Sequence, residues 1–369
     1  MPVHAYISLQ NDHRIARFEM NPDHGRLTHL EDVEVAEGPA PMALNPAGTM
    51  LYVGHRGAGS ATTTGGDGAP RAEFGLSSWA IDQRTGALTQ TGSVPVLGEP
   101  CFVSTDRTGR FVLSAYYQAG HCAVHPLDEG GALGGAAIEW LDTNSGAHCF
   151  QVDPSNRFGF VPHIADGSGG LPRLPEGRQT GANAIFQFRF NEETGKLTPN
   201  DPPRVSPVEQ IGPRHYCFHP TKNLVYVNNE QGSSVTVYTL DPDRGTLTAG
   251  QTVSTLPDGV TERNSTSQIR IDPDGRFLYV GNRGHNTIAC FSVDEATGEL
   301  TASSWAAAEP VPRAFNLDPS GRFLYAAGLE SGQLTTFAVS QQTGALSPVE
   351  TTHVGNVPMW VLFTELPGR

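Results

Sequence analysis

Lys196 and Lys222 are the only lysines in this 369-residue chain, which argues against amine (Schiff-base) chemistry and leaves every other fixed positive charge to arginine. Charge of either sign is sparse, at 17% of residues, and basic residues are the minority, 24 against 38 acidic, for a net charge of −14. No basic stripe exists to hold DNA or RNA, and anionic membranes are equally unfavourable partners. Long apolar runs are missing too. No stretch approaches the roughly 18 residues of a membrane helix, and MPVHAYISLQNDHR at the start shows no basic segment leading into an apolar one, so a cytoplasmic protein is expected. The five cysteines (Cys101, Cys122, Cys149, Cys217, Cys290) are odd in number and contain no C-x-x-C. That pattern excludes a disulfide framework or a cysteine zinc site and predicts buried free thiols. G-x-S-x-G, G-x-x-x-x-G-K-[ST] and G-x-G-x-x-G are all absent, which removes the common serine-hydrolase, phosphate-loop and dinucleotide signatures.

Glycine and proline, by contrast, are abundant, at 42 and 28 residues, and they recur in register. One turn signature appears seven times: NPDHGRLT at Asn21, DQRTGALT at Asp82, DEGGALG at Asp128, NEETGKLT at Asn191, DPDRGTLT at Asp241, DEATGELT at Asp294 and SQQTGALS at Ser340. Its glycines lie 61, 45, 64, 50, 53 and 46 residues apart. A second signature sits between them, a tight turn opening an apolar strand: NPAGTMLYVG, DRTGRFVLSA, DPSNRFGFVP, HPTKNLVYVN, DPDGRFLYVG and DPSGRFLYAA. Four short strands per repeat of this length predict an all-β, seven-bladed β-propeller of four-stranded blades. Residues 1–369 then form one domain, with loop insertions at about 57–74 and 164–183. Because the second signature occurs one time fewer, VPMWVLFTE is expected to be the first strand of a blade completed by HAYISLQ and RIARFEM, closing the ring with both termini.

The repeat register selects candidate site residues. Five positions before the second turn stand Ala40, Cys101, His148, Arg214, Ser267, Arg313 and, by extension, Met359; eleven positions after it stand Arg56, Tyr117, Ile164, Glu230, Arg283 and Leu329. Two antiparallel strands separate the sets, so both emerge at one end of the ring. His148, Arg214, Glu230, Arg283, Arg313 and Arg56 together describe an anion site, although strand starts around a wet channel are often polar without function. His163 and Asp166 open the second long loop and are placed near the same mouth. The other histidines, His215 among them, are expected to be structural or on the surface.

QIGPRHYCFHP, VYVNNEQGSSVTVY, IDPDGRFLYVGNRG, PVPRAFNLDPSGRFLYAAG and NVPMWVLF carry a resemblance to the seven-bladed propeller lactonases, a family that includes bacterial propeller-type 6-phosphogluconolactonases and fungal 3-carboxy-cis,cis-muconate cyclases. The resemblance implies hydrolysis of a sugar-acid lactone, most directly 6-phosphoglucono-1,5-lactone in the pentose phosphate pathway. It also implies catalytic roles for His148, Glu230, Arg214 and Arg283. Arg313, Arg56, Tyr117 and His163 are the substrate-binding candidates. No cofactor or metal is expected, since arginines around one carboxylate are electrostatically wrong for the Ca²⁺ of other propeller lactonases. The expected partner is a small anionic lactone, for a monomer or homodimer, with His148 accepting the proton of the attacking water. A muconate-lactonising enzyme, a lactonase for another, unphosphorylated lactone and a non-catalytic binding scaffold are the alternative readings.

Overall fold

The computed structural model describes residues 1–57, 74–165 and 181–367. The bulk of both expected insertions, with Asp166, lies outside the described residues. Blade 1 contains β1 (Val3–Leu9), β2 (Arg14–Met20) and β3 (Leu27–Glu34). Blade 2 is β4 (Pro39–Leu44), β5 (Met50–His55), β6 (Gly75–Ile81) and β7 (Leu88–Pro95). Blade 3 is β8 (Phe102–Thr105), β9 (Phe111–Tyr116), β10 (His121–Pro126) and β11 (Glu139–Asp142). Blade 4 is β12 (Gln151–Val152), β13 (Phe158–His163), β14 (Ala184–Phe190) and β15 (Leu197–Val205). Blade 5 is β16 (Pro213–Phe218), β17 (Leu224–Asn229), β18 (Ser234–Asp241) and β19 (Thr246–Ser254). Blade 6 is β20 (Ser265–Ile271), β21 (Phe277–Arg283), β22 (Thr287–Val293) and β23 (Leu300–Ala307). Blade 7 is β24 (Pro312–Leu317), β25 (Phe323–Gly328), β26 (Gln333–Val339) and β27 (Leu346–His353). The last strand, β28 (Pro358–Glu365), returns to blade 1 and pairs antiparallel with β1. The expected seven four-stranded blades and terminal closure are therefore present. Among the described residues no helix is long and apolar enough to cross a membrane.

The turn residues show why the repeats were legible. In the second signature the first side chain accepts backbone N–H groups across the turn: Asp106 Oδ1 from Arg110 and Phe111, and Asp153 Oδ1 from Arg157 and Phe158. His219 takes the same position in blade 5 and does similar work with Nδ1, which accepts from the N–H groups of Thr221 and Lys222 at 3.1 Å. In the first signature the glycine is left-handed and tightly packed. Gly344 has φ 71°, and a Cβ there would stand 2.5 Å from the Phe277 ring of the preceding blade, so no larger residue fits.

That glycine also anchors the seams. In five blades a buried tyrosine of an inner strand donates its hydroxyl to the turn-glycine carbonyl of the next blade: Tyr6 to Gly86, Tyr52 to Gly131, Tyr226 to Gly298, Tyr279 to Gly344 and Tyr325 to Gly25. Blades 3 and 4 carry Leu113 and Phe160 at this register, so neither donates a tyrosine hydroxyl here; at the seam of blades 4 and 5 the Gly245 carbonyl accepts instead from Asn200 Nδ2 at 2.8 Å. Removing one hydroxyl leaves a buried carbonyl without that donor. Tyr226→Phe is expected to lower unfolding free energy by about 1 kcal/mol in urea; no change would show that the latch contributes nothing.

His125 in β10 is 1% exposed, stands edge-on to Trp140 and has no hydrogen-bond partner on either ring nitrogen among the described residues. Burial pushes its pKa down to about 4. The unfolded chain binds this proton near pH 6.5. Between about pH 6.5 and 4 the unfolded state therefore holds the extra proton, and the contribution to stability that is complete above pH 6.5 is lost as pH falls through that window. His125→Phe is expected to lose about 2 kcal/mol less than the parent between pH 7.5 and 5.0 in urea titrations, and equal losses would reject the account.

Candidate active site

An edge of the innermost strand of each blade faces the ring axis, and regular pairing would leave consecutive side chains on opposite faces of the blade. The structure departs from regularity at the register that the repeats single out. Arg214 is an extra residue between the pairs Pro213–Asn229 and His215–Asn228; Arg313 is extra between Pro312–Gly328 and Ala314–Ala327; Met359 is extra in β28 against β1. Register breaks also span Ala40 in β4 and Ser267 in β20. Five blades thus place a bulge where their innermost strand begins, and a bulge re-aims its side chain. In the other two, Cys101 and His148 stand just ahead of their strands.

Glu230 is the centre of the group. It follows β17, its N–H donates to the Gly212 carbonyl at 2.7 Å, and its carbonyl accepts from Thr266 N–H at 3.2 Å. Arg214 Nε donates to Glu230 Oε2 at 2.6 Å and Arg283 Nη2 lies 3.1 Å from Oε1, so each carboxylate oxygen has its own guanidinium. Arg214 also donates to the Ser267 carbonyl, and Arg283 to the Thr266 carbonyl at 2.8 Å. Burial alone pushes the Glu230 carboxyl upward, but Arg283, Arg214 and Arg313 outweigh it, and its pKa lies below the ordinary value. Arg214 is lowered to about 10, first by burial and then by Arg283, which leaves it charged at neutral pH. Depth is graded: the Glu230 and Arg214 side chains are each 2% exposed, whereas His148 and Arg283 keep 9% and 10%. Of these four side chains the latter two are therefore the more accessible.

His148 Nε2 lies 4.0 Å from Glu230 Oε2, and Tyr117 packs against the imidazole at 5.6 Å between ring centres. Burial, with Arg214 and Arg313, drives the His148 pKa well below 6.5, so it is neutral at physiological pH. Arg313 is half-buried and forms no ion pair with the described residues; burial and the neighbouring Arg56 and Arg214 lower its pKa. Arg56 is paired with Glu99, a carboxylate in the loop before blade 3. Four guanidiniums thus face two carboxylates, and the cluster keeps a positive surplus inside a chain of net charge −14. Cys101, among three of these arginines, stays a thiol because burial raises its pKa to about 11. Among the described residues no three His, Cys, Asp or Glu side chains group as metal ligands would.

Two residues enter the site without having been singled out. His215, which the sequence places among structural or surface histidines, has its Nε2 3.2 Å from His148 Nδ1. Its ring meets Phe102 and Trp360 at 5.1 and 6.2 Å, so aromatic groups from three blades close the axis beneath the mouth. Glu99 lies at neither register offset and had no signal. His163, by contrast, does not join the cluster. Its Nδ1 and Nε2 are engaged by the Val161 carbonyl and Thr143 Oγ1 at 2.9 and 2.8 Å, its ring packs on Phe186, and it is fully buried. As the last residue of β13, it points into its blade rather than toward the axis.

Comparison with known proteins places this geometry. The model of the family described as "Lactonase, 7-bladed beta-propeller" matches residues 4–363. The 6-phosphogluconolactonase of Pectobacterium carotovorum is 34% identical over 337 residues, 91% of either chain, and that of Cronobacter sakazakii is 31% identical over 357 residues, 97% of either. The periplasmic gluconolactonase of Pseudomonas aeruginosa, 24% identical, matches all of both chains with a TM-score of 0.85, a likeness of fold.

Because Glu230 is buried between two arginines, replacing it leaves charge uncompensated where water cannot reach it. Glu230→Gln is expected to lower stability by roughly 3 kcal/mol, measured in urea at pH 7.5; a loss below about 0.5 kcal/mol would show the carboxylate to be solvated rather than paired.

Proposed function

Since the chain belongs to the seven-bladed β-propeller lactonase family, we propose that it hydrolyses 6-phosphoglucono-1,5-lactone to 6-phosphogluconate. The observation that carries this reading is the surplus of guanidinium charge around a buried carboxylate and a neutral imidazole at one end of the ring. A phosphorylated lactone supplies the missing negative charge, and the names of the relatives at 31–34% identity point to the same substrate. Arg313, with no carboxylate of its own, is the phosphate anchor in this reading. Arg56 contributes less because Glu99 already occupies it. A guanidinium-lined mouth repels a hard divalent cation, so the reaction is written without one.

Hydrolysis requires a water positioned on the lactone carbonyl, a group that takes its proton and donors for the oxygen that gains charge. Glu230 and His148 face one another across 4.0 Å and together handle the proton. Arg283, whose Nε has no partner among the described residues, donates to the developing oxyanion. Collapse of the tetrahedral intermediate breaks the bond from C1 to the ring oxygen, which receives the proton, while the new carboxylic acid ionises and releases another. Five free cysteines, four of them buried, suit a reducing compartment, and we place the enzyme in the cytoplasm on that ground.

Proton release from fresh 6-phosphoglucono-1,5-lactone in weak buffer, corrected for spontaneous opening, tests the assignment. The protein should accelerate it, and His148→Ala should lose about 10²- to 10⁴-fold in kcat. Arg313→Met should raise KM for the phosphorylated lactone by at least about tenfold while leaving glucono-1,5-lactone within about threefold. A wild-type rate equal to the blank would overturn the phosphosugar reading; consumption of carboxymuconate, seen as loss of diene absorbance, would replace it with lactone formation.

A further inference from the structure

We propose that His215 is a positioning residue that holds His148 with its proton on Nε2, so that His148 enters the reaction as a hydrogen-bond donor and Glu230 is the proton acceptor. The inference rests on the lactonase reading for the identity of the reaction, but its physical content lies in the two imidazoles themselves.

His148 Nδ1 and His215 Nε2 are 3.2 Å apart, so only one of these two nitrogens carries hydrogen. The groups at the far ends of the pair decide which. His148 Nε2 faces Glu230 Oε2 at 4.0 Å, where an N–H is attracted by the carboxylate and a lone pair is repelled. His215 Nδ1 has no hydrogen-bond partner among the described residues, and His215 borders a small cavity lined also by Arg214, Gln268 and Arg313. Gln268 Oε1 already accepts from Phe315 N–H at 3.1 Å. A bare lone pair beside two guanidiniums is favourable, whereas a buried N–H there would be an orphan donor facing positive charge. Both ends therefore select the same direction: His215 Nε2–H donates to His148 Nδ1, and His148 presents Nε2–H to the mouth.

The pair is held rigidly enough to keep that choice. Phe102 and Trp360 flank the His215 ring, and its backbone N–H donates to Asn228 Oδ1 at 3.1 Å. The charged and titratable groups acting on His215 are Arg214 on its own strand, His148, Arg270 of β20 and Arg313 of β24; with burial they keep it neutral. Glu230 then takes one proton from water as the water oxygen bonds to C1, the carbonyl electron pair moves onto its oxygen, and His148 Nε2–H and Arg283 donate to that oxyanion. When the bond from C1 to the ring oxygen breaks, Glu230 returns the proton to the ring oxygen. His148 keeps its own proton throughout, as a neutral imidazole serving as electrophile does.

Two-bond ¹H–¹⁵N spectra of protein labelled at histidine nitrogens test the tautomer, with His148→Gln identifying the His148 signals. The expected result is protonation of His148 at Nε2 in the wild type and its loss or mixing with the Nδ1 form in His215→Phe; Nδ1 protonation in the wild type overturns the proposal. This readout needs no substrate, so it survives failure of the lactonase assignment. Kinetics supply the second arm. His148→Gln can donate from about the Nε2 position but cannot take a proton there, and it should keep kcat within about tenfold, whereas a loss of about 10²-fold or more makes His148 the base and overturns the donor role. His215→Gln, which retains a donor toward His148, should recover most of the kcat lost in His215→Phe at unchanged KM; equal loss in both variants reduces His215 to packing.

Discussion

Everything at the mouth depends on one strand pairing, that of β28 with β1. A blade has two edges, and seven blades laid side by side would still leave an unsatisfied first and last element; pairing the end of the chain with its beginning completes blade 1 and fixes the angular position of every other. The site has no existence short of that closure. Arg56 comes from blade 2, His148 from blade 4, Glu230 from blade 5, Arg283 from blade 6 and Arg313 from blade 7, while Trp360, on the closing strand itself, packs against the His215 ring. Tyrosine hydroxyls reaching the next blade's turn glycine bridge five of the seven seams, and the two that lack them, on either side of blade 4, are bridged instead by other side chains: Ser104 and Asn156 at the seam with blade 3, Tyr216 and Asn200 at the seam with blade 5. The blade that supplies His148 is thus tied to its neighbours by a different set of hydrogen bonds from the rest of the ring.

The geometry that closure imposes is electrostatically costly. Arg214 and Glu230 are both nearly inaccessible to water, and a buried ion pair of this kind is commonly no more stabilising than well-packed apolar side chains of the same volume. Its retention is therefore better explained by the field it makes than by stability. Glu230 cancels one guanidinium and Glu99 another, leaving positive potential at the mouth of an otherwise acidic protein. A net charge of −14 repels anions at long range, whereas the arginine surplus attracts them at the ring axis, where low-dielectric walls focus the field.

How far the sequence could be read follows from which features are periodic. Turn residues recur because each blade needs the same side-chain acceptor or left-handed glycine, so blade number, strand order and terminal closure were legible. The register carried that legibility into the site: Arg214, Glu230, Arg283 and His148 were found by their offset from a turn, and the structure brings them together. Periodicity fails where the backbone breaks it. Strand alternation puts His215 opposite Arg214, and only the bulge at Arg214, invisible in the residue pattern, lets both act at the axis. His163 fails in the opposite way: β13 continues unbroken through it, so its side chain stays within the blade and finds Thr143 and Val161. Glu99 belongs to a loop of no fixed register.

The identity of residue 215 bears on why the cluster is built with two histidines. In catalytic triads the orienting group is a carboxylate, which stabilises imidazolium and makes the histidine a base. A carboxylate at position 215 would add negative charge among Arg214, Arg270 and Arg313, raise the basicity of His148 and weaken the attraction of the mouth for an anionic substrate. A neutral imidazole orients without doing any of these things. In the proposed arrangement it fixes one tautomer through a 3.2 Å hydrogen bond, leaves the arginine field intact, and keeps the site's remaining positive charge available to an anion rather than to His148.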